Sequence, residues 1–181
     1  MAYNKMSAAK KRTNKSSKNA RLGQAFERYV SMSNRRYRDT GEADMYKQHP
    51  EVKVRRGDDG FNGARFGARS GLDYVGVYKG RAVTFDAKET KGASLPLNNI
   101  KAHQIDTLQR FKAHGGISFL LVHMSRYGEV YVISTDDVIA VKESDRKSIP
   151  YSLMTERGYL VKPGNNVTVD YLTTMERAID D

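Results

Sequence analysis

The sequence predicts an α/β domain in which helices flank a mixed β-sheet. Three observations predict it: a helix-period segment after residue 21, a period-two segment folded about Lys79-Gly80, and an apolar run, "ISFLLVHM", followed at once by the alternating "EVYVIS". A strand apolar on both faces needs cover on both sides, and amphipathic helices supply it.

The elements follow in order. Residues 1–21 contain Lys5, Lys10, Lys11, Arg12, Lys15, Lys18 and Arg21 and no acid. With no apolar periodicity, they predict a disordered basic tail ahead of one domain over 22–181. Leu22, Ala25, Phe26, Tyr29 and Val30 recur at helical spacing, predicting a helix to about Tyr37 with Glu27 near its start. "PEVKVRR" alternates as a strand. The glycine-rich "GDDGFNGARFGARSG" that follows is no core element and predicts a projecting loop or loose hairpin.

Leu72–Tyr78 and Arg81–Ala87 form the arms of a hairpin turned by Lys79-Gly80. A helix from about Lys101 buries Ile105, Leu108 and Phe111 and stops at Gly115-Gly116. Residues 117–124 form a central strand, 129–134 its neighbour, and "YLTTMERAI" a last short helix.

Composition narrows the function. Lysine and arginine number 31 against 21 acidic residues, a formal charge of +10. That balance points to a polyanionic partner, above all nucleic acid. The absence of cysteine excludes disulfides, thiol nucleophiles and cysteine zinc sites. No apolar run approaches the length of a membrane span and no secretory leader is evident, so a cytoplasmic protein with no membrane partner is expected.

The hairpin carries the chemistry. With a two-residue turn at Lys79-Gly80, Asp73 falls directly opposite Asp86, their Cβ atoms roughly 5 Å apart on one face. Lys88 shares that face by strand alternation. Opposed carboxylates repel unless something positive lies between them. Hard oxygen ligands of this kind suit Mg²⁺, with Mn²⁺ able to substitute. Lys88 would orient or deprotonate an attacking water, or offset charge on phosphorus. A slip of one residue in register would undo the pairing.

The words around these residues resemble a known family. "DYVGVYKGRAVTFDAKETK", "SLPLNNIKAHQID" and "GGISFLLVH" are similar to the RecU Holliday junction resolvases, over roughly residues 20–140, with a weaker echo in "VDYLTTME". The resemblance implies a restriction-endonuclease-like fold and a homodimeric, Mg²⁺-dependent endonuclease. It implies symmetric nicking of four-way DNA junctions in recombination, repair or phage DNA processing. On the family's pattern, Glu27, Asp73 and Asp86 form the acidic, metal-binding triad, Lys88 is the catalytic lysine and Gln104 a further catalytic position.

The stretch 47–70 would be a stalk inserted into the junction. The family usually has Glu where Asp86 stands and a hydroxyl residue where Leu72 stands, and its stalk is longer.

Candidate DNA contacts are Lys10, Lys11 and Arg12 in the tail, Arg55, Arg56, Arg65 and Arg69 in the stalk, and Phe61 and Phe66 as wedges or stacking partners. Branched DNA, a second copy of the chain, and a recombinase or branch-migration helicase are the expected partners in a bacterial cell, with the gene carried by chromosome or phage. Two rival functions fit the same residues: a non-catalytic junction-binding accessory protein, and a general repair nuclease of the same fold.

Overall fold

The computed structural model describes residues 23–49, 52–57, 60–66, 71–164 and 166–180, and only the backbone within 52–66 and 179–180. The tail with Lys10, Lys11 and Arg12, together with Leu22 and Arg69, lies outside the described residues. So do the side chains of Arg55, Arg56, Phe61, Arg65 and Phe66.

Helix α1 spans 23–39. Its buried stripe is Phe26, Val30, Ser33, Asn34 and Tyr37. Ala25 and Tyr29, expected inside from their spacing, face solvent; Tyr29 is 48% exposed. Asn34 holds an inward position instead because it accepts a 2.7 Å hydrogen bond from the Tyr171 hydroxyl.

Strand β1, Ala43–Lys47, alternates in burial and was not expected: "ADMYK" is short and only two of its residues face the core. Strands β2, Val52–Gly57, and β3, Gly60–Phe66, pair antiparallel as a separate two-stranded sheet, with a register shift between Val54 and Arg56. Of the projecting loop or loose hairpin expected, the described residues form a hairpin, a ribbon outside the main sheet.

Strands β4, Tyr74–Tyr78, and β5, Arg81–Thr90, form the expected hairpin with Tyr78 facing Arg81 and Tyr74 facing Phe85. Both turn residues, Lys79 and Gly80, have positive φ, at 47° and 76°, the twist that suits a two-residue hairpin. A Cβ on Gly76 would stand 2.1 Å from the Asp44 carbonyl oxygen, so only glycine lets β4 lie against β1 here.

After a short strand, β6 (Ser94–Pro96), and one 3₁₀ turn, helix α2 runs Ala102–Ala113. It ends where Gly115 takes φ +78°, with Gly116 N–H returned to the Phe111 carbonyl. Strands β7, Ile117–Met124, and β8, Glu129–Ser134, lie where the sequence placed them.

Four further elements follow that the sequence did not announce: α3 (Thr135–Glu143), β9 (Ser148–Pro150), α4 (Tyr151–Arg157) and β10 (Tyr159–Val161). Each is short, and the apolar residues that anchor them, such as Val138, Ile149 and Met154, are too widely spaced to show a period. Helix α5 is Tyr171–Asp180.

The six-stranded sheet has the order β1-β4-β5-β7-β8-β10. Only β5 and β7 pair in parallel, with Asp86 beside Leu120 and Lys88 beside Val122. Two apolar clusters sandwich it. One joins α1 and α5 to Tyr74, Phe85, Phe119 and Leu121; the other joins α2, α3 and α4 to Leu120, Val122 and Ile133. Tyr37 clasps α1 to the far end of the chain, its hydroxyl donating to Asp170 at 3.1 Å.

Candidate active site

Alternation along β5 sends Asp86 and Lys88 to the α2 face, and burial makes the placement costly. Asp86 is fully buried, and a buried carboxylate must find donors or cations. Gln104 supplies the donor. Its Nε2 donates to Asp86 Oδ1 at 2.7 Å, while its Oε1 accepts from Lys101 N–H at 2.9 Å. One side chain thus caps α2 and grips Asp86, which fixes the helix against the strand.

The Lys88 ammonium supplies the cation, ion-paired with Asp86 Oδ2. That oxygen takes no hydrogen bond besides this contact.

Asp73 lies in the bend just before β4, one step beyond the last ladder pair, Tyr74 with Phe85. Its Oδ2 accepts the backbone N–H of Ala87 at 3.2 Å. The structure therefore brings Asp73, Asp86 and Lys88 together, as the turn arithmetic requires. Burial pushes the Asp86 carboxyl up to about 7; Lys88 pulls it down, and the negative charge of Asp73 adds to the rise.

Glu27 is placed differently. It sits on α1, across the sheet from Asp86, and its Oε2 pairs with Lys47 Nζ at 2.5 Å. The Tyr74 phenol registers all three acids. Burial is the main cause that raises it to about 12, and the charges of Glu27, Asp73 and Asp86 add to that. Yet among the described residues no three His, Asp or Glu side chains converge into a metal-holding group. The expected triad is thus a close pair plus a third carboxylate held by Lys47. Sequence reasoning missed Lys47 because it missed β1.

It also missed a second buried carboxylate. Glu89, next to Lys88 and pointing to the opposite face, has a side chain only 6% exposed. It faces His123, at 3.6 Å from Nδ1 to Oε1, and neither Glu89 oxygen nor that nitrogen makes a hydrogen bond among the described residues. Burial lowers the His123 pKa, while the charge of Glu89 opposes the fall. The His123 ring packs on Phe26, centroids 5.1 Å apart. Only the parallel register of β5 with β7 reveals this pair.

The Asp73–Asp86 pair suits Mg²⁺. It offers hard oxygens, one of them without a hydrogen bond, and Mg²⁺ commonly takes one or two carboxylates and fills its shell with water and substrate phosphate.

Comparison with known proteins decides the family. The sequence profile of the family described as Recombination protein U matches residues 21–177. This chain belongs to the RecU family.

Among its RecU relatives, the Holliday junction resolvase RecU of Limosilactobacillus fermentum is 34% identical over 91% of this chain and 83% of its own length. That of Geobacillus thermodenitrificans is 33% identical over 87% of this chain and 84% of its own. That of Streptococcus pneumoniae is 33% identical over 95% and 92%. The solved structure of Hjc, a Holliday junction resolvase of Archaeoglobus fulgidus, aligns with 73% of this chain at a TM-score of 0.47 and 13% identity.

Proposed function

We propose that this RecU-family chain is a metal-dependent endonuclease that resolves four-way DNA junctions by symmetric nicking. The observation that carries the reading is the Asp73–Asp86 pair with Lys88 and Gln104 on one face of β5, in a chain whose relatives are named Holliday junction resolvases.

Asp73 and Asp86 would hold Mg²⁺, or Mn²⁺ in its place, with Glu27 joining once it leaves Lys47. The bound ion supplies charge stabilisation at the phosphoryl oxygens and a water of lowered pKa. Gln104 holds Asp86 Oδ1, which leaves Oδ2, the oxygen paired with Lys88, for the ion. Lys88 positions the attacking water and offsets charge building on phosphorus. Water's oxygen joins phosphorus in line with the leaving oxygen, the phosphodiester P–O bond breaks, and the strand leaves as a hydroxyl end that can be religated.

The basic residues Lys10, Lys11, Arg12, Arg55, Arg56, Arg65 and Arg69 contact phosphates in this reading. Phe61 and Phe66, on the β2–β3 ribbon, enter the opened centre of the junction. Two symmetry-related nicks call for a two-fold dimer of the chain. Work on recombining DNA places it in the bacterial cytoplasm, alongside a recombinase or branch-migration helicase. No helix among the described residues is long and apolar enough to cross a membrane.

The pairing of Glu27 with Lys47 favours one second reading, a junction binder without catalysis. One assay separates them: nicking of a four-way junction and of linear duplex, with and without Mg²⁺, by wild type and Asp86→Asn. Mg²⁺-dependent nicking of the junction alone, lost in Asp86→Asn with binding kept, is the expected result. Salt-sensitive binding without any nicking would establish the accessory reading, and equal cutting of both substrates a general nuclease.

A further inference from the structure

Turn residues 125–128 join β7 to β8 at the end of the sheet where β5 finishes, and they are tied to it. Ser125 N–H and Ser125 Oγ both donate to the Thr90 carbonyl at 3.0 Å. Thr90 lies two residues beyond Lys88, roughly 7 Å along the strand. Tyr151, at the start of α4, is tied to the same corner, its N–H donating to the Ala93 carbonyl at 2.9 Å.

On this corner the rings of Tyr127 and Tyr151 stack, with centroids 3.7 Å apart and planes 12° from parallel. Tyr151 packs against the apolar cluster that contains Leu120 and Val122, the strand partners of Asp86 and Lys88. The stack therefore shares both the end and the face of the sheet with the candidate active site.

The stack is anchored through one ring and exposed at the other. Glu129 Oε2 accepts from the hydroxyls of both Tyr131 and Tyr151 at 2.7 Å, which anchors the Tyr151 ring. Those two bonds hold the Glu129 carboxyl below its ordinary range, so it stays an anchored acceptor. Tyr127 remains 37% exposed. Arg126 holds its guanidinium over the Tyr127 ring, 5.9 Å from the centroid, where a stacking base would displace it towards the base's own phosphate. Both Arg126 and Lys91, the residue after Thr90, are exposed.

An exposed ring backed by a second ring, with exposed cations on the same corner, suits a nucleobase and its phosphate. Bases stack on such rings whatever their sequence, and guanidinium and ammonium groups take the backbone.

We infer that Tyr127, backed by Tyr151 and with Arg126 and Lys91 on the same corner, is a stacking platform for an unstacked base of branched DNA at the same end of the sheet as the catalytic pair. This rests on the nuclease reading above and deepens it. A four-way junction offers what continuous duplex does not: bases at the branch point freed from a neighbour on one side. The platform therefore contributes to the preference for branched substrates.

The test uses the full chain and a junction carrying 2-aminopurine at each branch-point position in turn. Binding is read in the Asp86→Asn background and nicking in the wild-type one. Tyr127→Ala weakens junction binding by about 5- to 100-fold, the range found when a stacking aromatic is removed, with a smaller loss for linear duplex. It also relieves the fluorescence quenching of one branch-point 2-aminopurine.

Tyr127→Phe retains binding and quenching, which separates stacking from loss of fold. Tyr29→Ala, a comparably exposed tyrosine on α1, leaves both unchanged. If wild type nicks junctions and Tyr127→Ala binds, quenches and cuts as it does, the platform is refuted and the nuclease reading stands. If wild type neither binds nor cuts junctions in preference to duplex, both fall.

Discussion

Asp86 and Glu89 lie three residues apart on β5, both sealed from water, and they face opposite sides of the sheet. Asp86 meets the Gln104 amide, the Lys88 ammonium and a second carboxylate. Glu89 meets an imidazole too far away to bond. Burial alone therefore does not mark a site. The partner set does: Asp86 is held by groups that fix its orientation and leave one oxygen free of hydrogen bonds, while Glu89 bears the cost of desolvation with nothing to orient it. On the proposed reading the α2 face carries the chemistry, and the α1 face holds Glu27 against Lys47.

Substitutions probe that contrast from its strongest point outward. Lys88→Met removes the cation that touches Asp86. Nicking should fall by about 10³-fold, since a lost transition-state charge contact costs about 4 kcal/mol, while junction affinity in Ca²⁺ stays within a few fold. Gln104→Met keeps the volume but strips Asp86 of its donor and α2 of its cap. Nicking should drop by about 10- to 100-fold and need more Mg²⁺ to saturate, as outer-shell partners of a metal site behave. A Mg²⁺ titration of the nicking rate checks both parts.

Glu89→Gln exchanges a buried carboxyl without a hydrogen bond for an amide that can donate to His123 Nδ1. Stability should rise by about 1–3 kcal/mol, read as a higher urea midpoint, with nicking unchanged. A loss of nicking with junction binding intact would show that the α1 face takes part in the reaction, and the contrast drawn above would break.

The pH dependence tests Asp86 itself. Its folded pKa lies above its ordinary value, so the folded state binds the proton more tightly than the unfolded state. Stability from this group is complete below pH about 4 and is lost as pH rises through about 7. In metal-free buffer the wild-type urea midpoint should fall between pH 5 and 8 relative to that of Asp86→Asn. Smallest of all, Arg38→Ala breaks an exposed pair with Asp44, 2.9 Å long, and should leave the midpoint in the same titration almost unmoved.

Legibility in the sequence followed the range of the interactions involved. Asp73, Asp86 and Lys88 could be placed together because a two-residue turn fixes a register within the span of one hairpin. The Gln104 bond to Asp86 crosses 18 residues; the resemblance singled out Gln104 but not its partner, since a glutamine at a helix start carries no period. The Glu89–His123 pair was invisible because it depends on two strands meeting in parallel across 34 positions. Tyr29 misled because helical spacing identifies a stripe without saying which edge of it turns inward. Polar Asn34 took the buried position through its bond to Tyr171.

The clasp between α1 and α5 has a temporal side. Tyr37 bonds a residue 133 positions later, and Asn34 accepts from one 137 positions later. Translation delivers residues one by one, at about 5–20 per second, so β4 and β5 with their charges leave the ribosome well before Asp170 and Tyr171. Until those two arrive, the helix bearing Glu27 has nothing to close against on that side. A nascent chain thus carries its acidic residues for several seconds before Glu27 has a settled place among them.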